Sequence, residues 1–246
     1  MLVLVACPRG SVSTSAAPDS GPPRSAQGAL EGTLLLLPPL PARLPRLATN
    51  ASAAKVCGTS VSDDALNVSP KGALKDAVVF LESGPIPGDE KVLPSDTLDQ
   101  KGCAYSRPVL AARAGSHLSF LNSDELVHTI RSEGMGRAAF NFAMPLTGMR
   151  VTRVLPAAPG VLQLTCDVHP WMRAVVRTFS HSLFAITDAS GHFRIEGVPE
   201  GAHALRVWHP RLGEAVLAQD VHAEGALINL GVMHPRFVGP PQRTAE

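Results

Sequence analysis

The sequence predicts an all-β protein, and two of its features favour that class. It contains 22 Pro and 21 Gly among 246 residues, and no long amphipathic helical pattern runs between them. Turn-forming residues at this density are typical of short strands joined by many turns. Short apolar stretches such as 77–82 and 161–166 lie between the turns and have the length and composition of strands. A chain of this length can bury one or two cores.

The first 27 residues are predicted to be the remnant of an export signal followed by a flexible tether. Residues 4–7 resemble the lipobox of bacterial lipoproteins, in which Cys7 would carry the lipid. The apolar stretch before Cys7 is shorter than the roughly 7–15 residues of a signal peptide and lacks a basic start, so an upstream start and a chance match are the alternatives. Residues 8–27 are rich in Ser, Ala, Pro and Gly, as tethers are. Because no stretch reaches the roughly 18 apolar residues of a membrane span, membrane contact is expected only through a lipid.

One short loop carries the strongest chemical signal of the chain. Cys166, His169 and Met172 follow one another at C-x-x-H-x-x-M spacing. Alternation in the preceding strand turns Cys166 inward, and a turn stiffened by Pro170 brings His169 back towards it. Two imidazoles and a thiolate in a trigonal set, with a weak axial thioether, form a blue-copper electron-transfer site. One type 1 copper ion is therefore predicted, with His128 as the best candidate for the second imidazole.

Met144 is the rival axial ligand. It lies in residues 140–145, which are expected to form a loop over the site. Met172 is preferred because closure of its own loop ties it to His169.

The same loop resembles the ligand loop of the cupredoxins, with the spacing of the amicyanin type. Residues 108–115 and 118–122, followed by His128, resemble the segment that leads to the first histidine ligand in that family. The resemblance implies a Greek-key sandwich and a copper site braced by Asn122. It implies four ligands, three equatorial and one axial: His128, Cys166, His169 and Met172. A wider similarity to plastocyanin-like proteins associated with methylamine utilisation covers roughly residues 28–235 and includes the segments 99–103 and 140–141.

After residue 181 the pattern resembles a second family. The T-D-x-x-G-x-F-x-I motif that begins at Thr187, followed by V-P-x-G, is similar to carboxypeptidase-regulatory-like, transthyretin-type sandwiches, and residues 184–195 are predicted to form a hairpin. Such modules begin with strands that here occur only before residue 83. We therefore predict a discontinuous sandwich of residues 28–82 and 181–238, with the cupredoxin of residues 83–180 inserted into it or packed tightly on it.

Two cysteines remain after Cys166 and Cys7 are assigned. Cys57 and Cys103 form either a disulfide or two separate buried thiols. A disulfide and a blue-copper site both suit an oxidising compartment, which predicts a periplasmic or extracellular protein.

Three function classes stay open. The first is transfer of single electrons between transient protein partners, the second is copper binding and delivery, and the third is a non-catalytic extracellular β-sandwich binding module with a vestigial metal site. A net charge of +1 without basic blocks indicates no nucleic-acid partner. An enzyme is not expected, because the sequence has no H-x-H cluster, nucleophile pattern or phosphate-binding loop. The arginines of the copper-site strands, Arg113, Arg173 and Arg177, are expected on solvated faces.

Overall fold

The structure, a computed structural model, describes residues 27–42, 44–82, 96–134, 140–223 and 226–237. Within these ranges the chain forms twenty strands and one short helix, so the all-β prediction is confirmed. The predictions for Cys7 and for most of the tether fall on residues 1–26, outside the described ranges. Among the helices that the structure describes, none has the length and apolar character to cross a membrane.

In chain order, the strands and the helix of the described residues are β1 Gln27–Leu34, β2 Leu47–Ala48, α1 Ala54–Cys57, β3 Ser60–Val61, β4 Asn67–Val68, β5 Leu74–Lys75, β6 Val78–Leu81, β7 Asp96–Lys101, β8 Ala104–Tyr105, β9 Val109–Arg113, β10 His117–Asn122, β11 His128–Glu133, β12 Asn141–Met144, β13 Arg150–Val154, β14 Gly160–Thr165, β15 Arg173–Phe179, β16 Phe184–Ile186, β17 His192–Pro199, β18 Gly201–His209, β19 Gly213–Ala223 and β20 Leu227–Met233.

Two pairs of sheets form two sandwiches. The central sandwich has one sheet in the order β13-β10-β7-β8 and one in the order β12-β11-β14-β15-β9. The outer sandwich has the orders β17-β1-β20 and β16-β6-β18-β19. Each pair of sheets shares one apolar core, which Phe120 anchors in the central sandwich and Phe193 in the outer one.

The outer sandwich combines strands from both ends of the described chain. β1 lies between β17 and β20, and β6 lies between β16 and β18. Strands that precede the central sandwich in sequence therefore share sheets with strands that follow it. The domain boundaries proposed from the sequence remain a prediction.

Two local expectations are corrected by the strand pairing. Residues 184–195 are not a hairpin, because β16 pairs with β6 in one sheet while β17 pairs with β1 in the other. The turn between them does form, since Gly191 N–H donates to the Asp188 carbonyl, but it carries the chain across the sandwich. Residues 141–144 are not a loop over the site, because they form β12 and pair with β11.

The two sandwiches meet at a small aromatic cluster. Phe80 and Trp208 of the outer sandwich pack against Phe179 of the central one. The Arg177 guanidinium lies 4.6 Å from the Phe80 ring centre and 5.0 Å from that of Trp208, and it pairs with Glu214 at 3.0 Å. The expectation that Arg177 occupies a solvated strand face is wrong, because Phe80 and Trp208 of the outer sandwich cover that face of β15.

Candidate metal site

The predicted ligand loop closes on itself between two strands. β14 buries Leu162 and Leu164 and delivers Cys166 just beyond its end. The Met172 N–H donates to the His169 carbonyl at 2.9 Å, and the Cys166 N–H donates to the Met172 carbonyl at 3.3 Å. These bonds form a tight loop in which Pro170 is exposed, as suits a residue that stiffens a turn.

His128 lies at the start of β11, opposite the loop. Its Nδ1 is 3.0 Å from His169 Nδ1 and 3.9 Å from Cys166 Sγ, and the sulfur is 3.7 Å from His169 Nδ1. All three side chains are buried. The structure therefore brings together three of the four predicted ligands in a compact, dry triangle.

The dimensions of this triangle fit a single metal ion. Ions that bind such donors typically lie about 2.0 Å from an imidazole nitrogen and about 2.3 Å from a thiolate sulfur. The observed separations leave one central point at close to those distances from all three atoms. Among the described residues, these three form the one cluster of His, Cys, Asp and Glu side chains with this geometry.

Asp124 fixes the orientation of His128. Its Oδ2 lies 3.0 Å from His128 Nε2, and both side chains are buried. A proton held on Nε2 by this carboxylate leaves Nδ1 free to bind a metal, as carboxylates commonly arrange for metal-binding histidines. The sequence-based prediction missed Asp124, although a carboxylate four residues before His128 was visible.

Hydrogen bonds favour a charged thiolate at Cys166. Burial acts to raise the pKa of this thiol, but bonds from His128, from Thr129 and from the His169 backbone outweigh burial and lower the pKa. The Thr129 N–H donates to the sulfur at 3.4 Å. Burial likewise opposes protonation of His128, yet its bonds to Cys166 and Asp124 raise its pKa. The pKa of His169 is lowered by burial and by neighbouring His128.

Asn122 braces the turn that leads to His128. Its Nδ2 donates to the carbonyls of Leu126 and Met144, both at 2.9 Å, and its Oδ1 accepts the Asp124 N–H. Because the chain turns here, β11 begins only at His128.

Both methionines considered as axial ligands are buried in the core of the central sandwich. Gln100 Nε2 donates to Met144 Sδ at 3.1 Å, so the Met144 sulfur already has a polar partner. Met172 closes the ligand loop through its backbone. The axial role of Met172 remains a prediction.

Cys57 and Cys103 are joined by a disulfide across 46 residues, and Cys166 is the free thiol of the described chain. Of the other histidines, His203 bonds the Pro199 carbonyl and His209 accepts the Arg211 N–H. Both lie in the outer sandwich, away from the cluster.

No protein-family model matches the chain, and no curated protein does. Among solved structures, amicyanin from Paracoccus versutus is 16% identical over 41% of this chain and 97% of its own, with a TM-score of 0.32. A purple cupredoxin from Nitrosopumilus maritimus is 24% identical over 35% of this chain and all of its own, with a TM-score of 0.30. A copper-containing nitrite reductase from Thermus scotoductus is 22% identical over 35% of this chain and 22% of its own, with a TM-score of 0.30. Similarity at these scores supports no assignment, so the functional proposal rests on the residues of this chain.

Proposed function

We propose that the chain is a type 1 copper protein that carries single electrons between protein partners. The observation that carries the proposal is the buried triangle of His128 Nδ1, Cys166 Sγ and His169 Nδ1. A bound copper ion would supply a Cu(II)/Cu(I) couple at this point. Two imidazoles and one thiolate, with a thioether near, are the donor types of blue-copper sites.

The residues around the triangle would hold it rigid and dry. Asp124 and Asn122 orient His128 and its turn, and Thr129 donates to the Cys166 sulfur. Such surrounding bonds fix ligand geometry and tune the potential of a metal centre. Burial of all three donors supports our proposal of a carrier rather than an enzyme, because a buried centre is poorly placed to receive a substrate.

Exposed apolar side chains support a protein partner. Val127 and Val168 each precede a proposed histidine ligand, and Leu146 follows β12 by two residues; all three are exposed. A contiguous exposed apolar patch often marks an interaction site, and we propose that these three side chains contribute to one beside the ligand loop. Contacts between redox partners are usually small and transient, and we expect this surface to serve such an encounter.

The compartment and the domain organisation are also proposed. The Cys57–Cys103 disulfide supports export to a periplasmic or extracellular space, where such bonds persist. We further propose that residues 28–82 and 181–238 form one discontinuous, carboxypeptidase-regulatory-like domain around residues 83–180. The shared sheets of β1 with β17 and of β6 with β18 support this division.

The test is a visible and paramagnetic-resonance spectrum of the protein titrated with Cu(II). We expect an intense thiolate-to-copper band with a narrow copper hyperfine splitting, both lost in Cys166→Ser. His169→Gln should also lose them. The matched control His203→Gln, which alters a buried histidine in the outer sandwich, should keep them.

The alternatives give different outcomes. Copper that binds and then dissociates on reduction would contradict electron transfer and favour copper delivery. A folded protein that binds no copper would favour a binding module with a vestigial site.

A further inference from the structure

A two-residue turn beside the site has an unusual conformation. Gly102 and Cys103 join β7 to β8, and both have positive φ, 62° and 57°. Positive φ at both central residues is typical of the tightest hairpin turns and is uncommon for a residue with a Cβ. Such a turn presents two neighbouring N–H groups in one direction, which suits an anion.

Those two N–H groups hold the carboxylate that orients the first histidine. The Gly102 N–H donates to Asp124 Oδ1 at 2.7 Å, and the Cys103 N–H donates to Oδ2 at 2.8 Å. The same Oδ2 lies 3.0 Å from His128 Nε2. The conformation of Cys103 therefore sets where Asp124, and through it His128, can lie.

The carbonyl of the same residue reaches the second histidine. Trp171 Nε1–H donates to the Cys103 carbonyl at 3.1 Å. The Trp171 ring lies 5.2 Å from the His169 ring, measured between centres. Cys103 is thus bonded to the supports of both imidazoles.

We propose that the Cys57–Cys103 disulfide is a positioning element for both histidine ligands. It joins the end of α1 to the buried Cys103 side chain and so holds the turn in the conformation that supports Asp124 and Trp171. This inference rests on the proposed metal-binding function.

A double-mutant cycle tests the proposal with Co(II), whose thiolate absorption reports both affinity and geometry. Asp124→Asn should weaken Co(II) binding by roughly 10–100-fold, as loss of an outer carboxylate typically does. The double variant Cys57→Ser with Cys103→Ser should weaken it about tenfold and shift the thiolate band. Because the second variant acts in part through Asp124, the losses should be less than additive, and the triple variant should bind more weakly than Asp124→Asn only by the share that acts through Trp171.

A purely structural role for the disulfide predicts something else. It would lower thermal stability while leaving the band of the folded, loaded protein unchanged, and the losses in affinity would then be additive. Either result overturns the proposal. Replacing both cysteines, rather than one, leaves no unpaired thiol at position 57 or 103 to compete with Cys166 for the metal.

If the double variant does not fold, Trp171→Phe tests the link from the Cys103 carbonyl to His169 instead. It removes one N–H donor and keeps an aromatic ring, so we expect about threefold weaker Co(II) binding and a shifted band. Unchanged affinity and an unchanged band in Trp171→Phe would overturn the proposal. Wild-type protein that binds neither Co(II) nor Cu(II) would instead contradict the proposed function itself.

Discussion

The two sandwiches are built alike but differ in how they bury polar groups. In the central sandwich, Asn122, Asp124 and His128 are bonded to one another and lie against the ligand loop. In the outer sandwich, buried Asp76 pairs with the less buried Lys75 and Asn67, whereas Thr187 and His203 are buried singly. Thr187 accepts the Ala77 N–H, and His203 bonds a backbone carbonyl four residues away.

This difference separates a scaffold from a site. A polar side chain buried on its own commonly forms a hydrogen bond with a nearby backbone group, and this bond stabilises the local chain conformation. Polar groups buried together shift one another's pKa values and fix one another's orientation, which is typical of functional sites. This contrast supports the proposal that the two sandwiches have different uses, one as a scaffold and one as a metal site.

The largest expected effect compares the two cores. Phe193→Ala and Phe120→Ala each remove a fully buried ring, and each should lower the free energy of unfolding by about 3–5 kcal/mol. Phe193→Ala should leave the Cu(II) dissociation constant unchanged, because its ring lies in the outer core. Phe120→Ala should weaken copper binding, because its core also contains Cys166 and Met172. Denaturant unfolding measures the free energy, and copper titration measures the dissociation constant. Equal losses of copper affinity in the two variants would contradict the assignment of the metal site to the central sandwich alone.

The next effect is a pH dependence that belongs to the outer sandwich. Burial, with Arg211 nearby, lowers the pKa of His209 from 6.5 to about 4, and its Nε2 has no hydrogen-bond partner among the described residues. Between those two pH values the unfolded chain binds a proton that the folded chain excludes, so stability falls as the pH falls. The loss should reach about 3 kcal/mol near pH 4.

His209→Gln isolates this contribution, since the variant does not titrate. Burial also lowers the pKa of His181, so the informative quantity is the difference between wild type and variant in urea unfolding from pH 7 to pH 4. If the stability curves of wild type and variant run parallel, folding does not lower the pKa of His209, and the folded chain binds this proton as readily as the unfolded chain does.

Two of the three cluster residues were predictable because their spacing is local, whereas His128 lies 38 residues from Cys166 and was proposed as the best candidate. Cys166 and His169 lie within one loop, and the inward face of a strand follows from alternation. The Asp124 carboxylate was visible in the sequence, but its role as a support was not. The position of this carboxylate is fixed by a turn of positive φ more than twenty residues earlier. Arg177 was misplaced for a similar reason: strand alternation gives its face but cannot say that Phe80 and Trp208 cover it. Contacts between distant segments need the assembled sheets.

A smaller effect should appear where the sandwiches meet. Arg177→Met keeps an unbranched, largely apolar stem but shortens the side chain and removes its charge, its pairing with Glu214 and its guanidinium contacts with the aromatic faces. Because Glu214 is partly exposed, we expect a loss of about 1–2 kcal/mol in the free energy of unfolding. The copper spectrum should not change. Arg177→Lys, which keeps the charge but not the planar group, should lose less; a neutral result for both variants would mean that the guanidinium contributes nothing to the interface.

The smallest effect on stability separates the two methionines of the central sandwich. Met172→Leu and Met144→Leu conserve volume, so each should cost less than about 1.5 kcal/mol. Met144 Sδ already accepts the Gln100 amide, whereas Met172 closes the ligand loop. Only Met172→Leu is therefore expected to change the copper spectrum and potential, through loss of a weak axial thioether. The opposite pattern would assign the axial role to Met144, which the pairing of β11 with β12 puts directly opposite His128. In that case strand pairing would be a better guide to metal ligation than closure of the ligand loop.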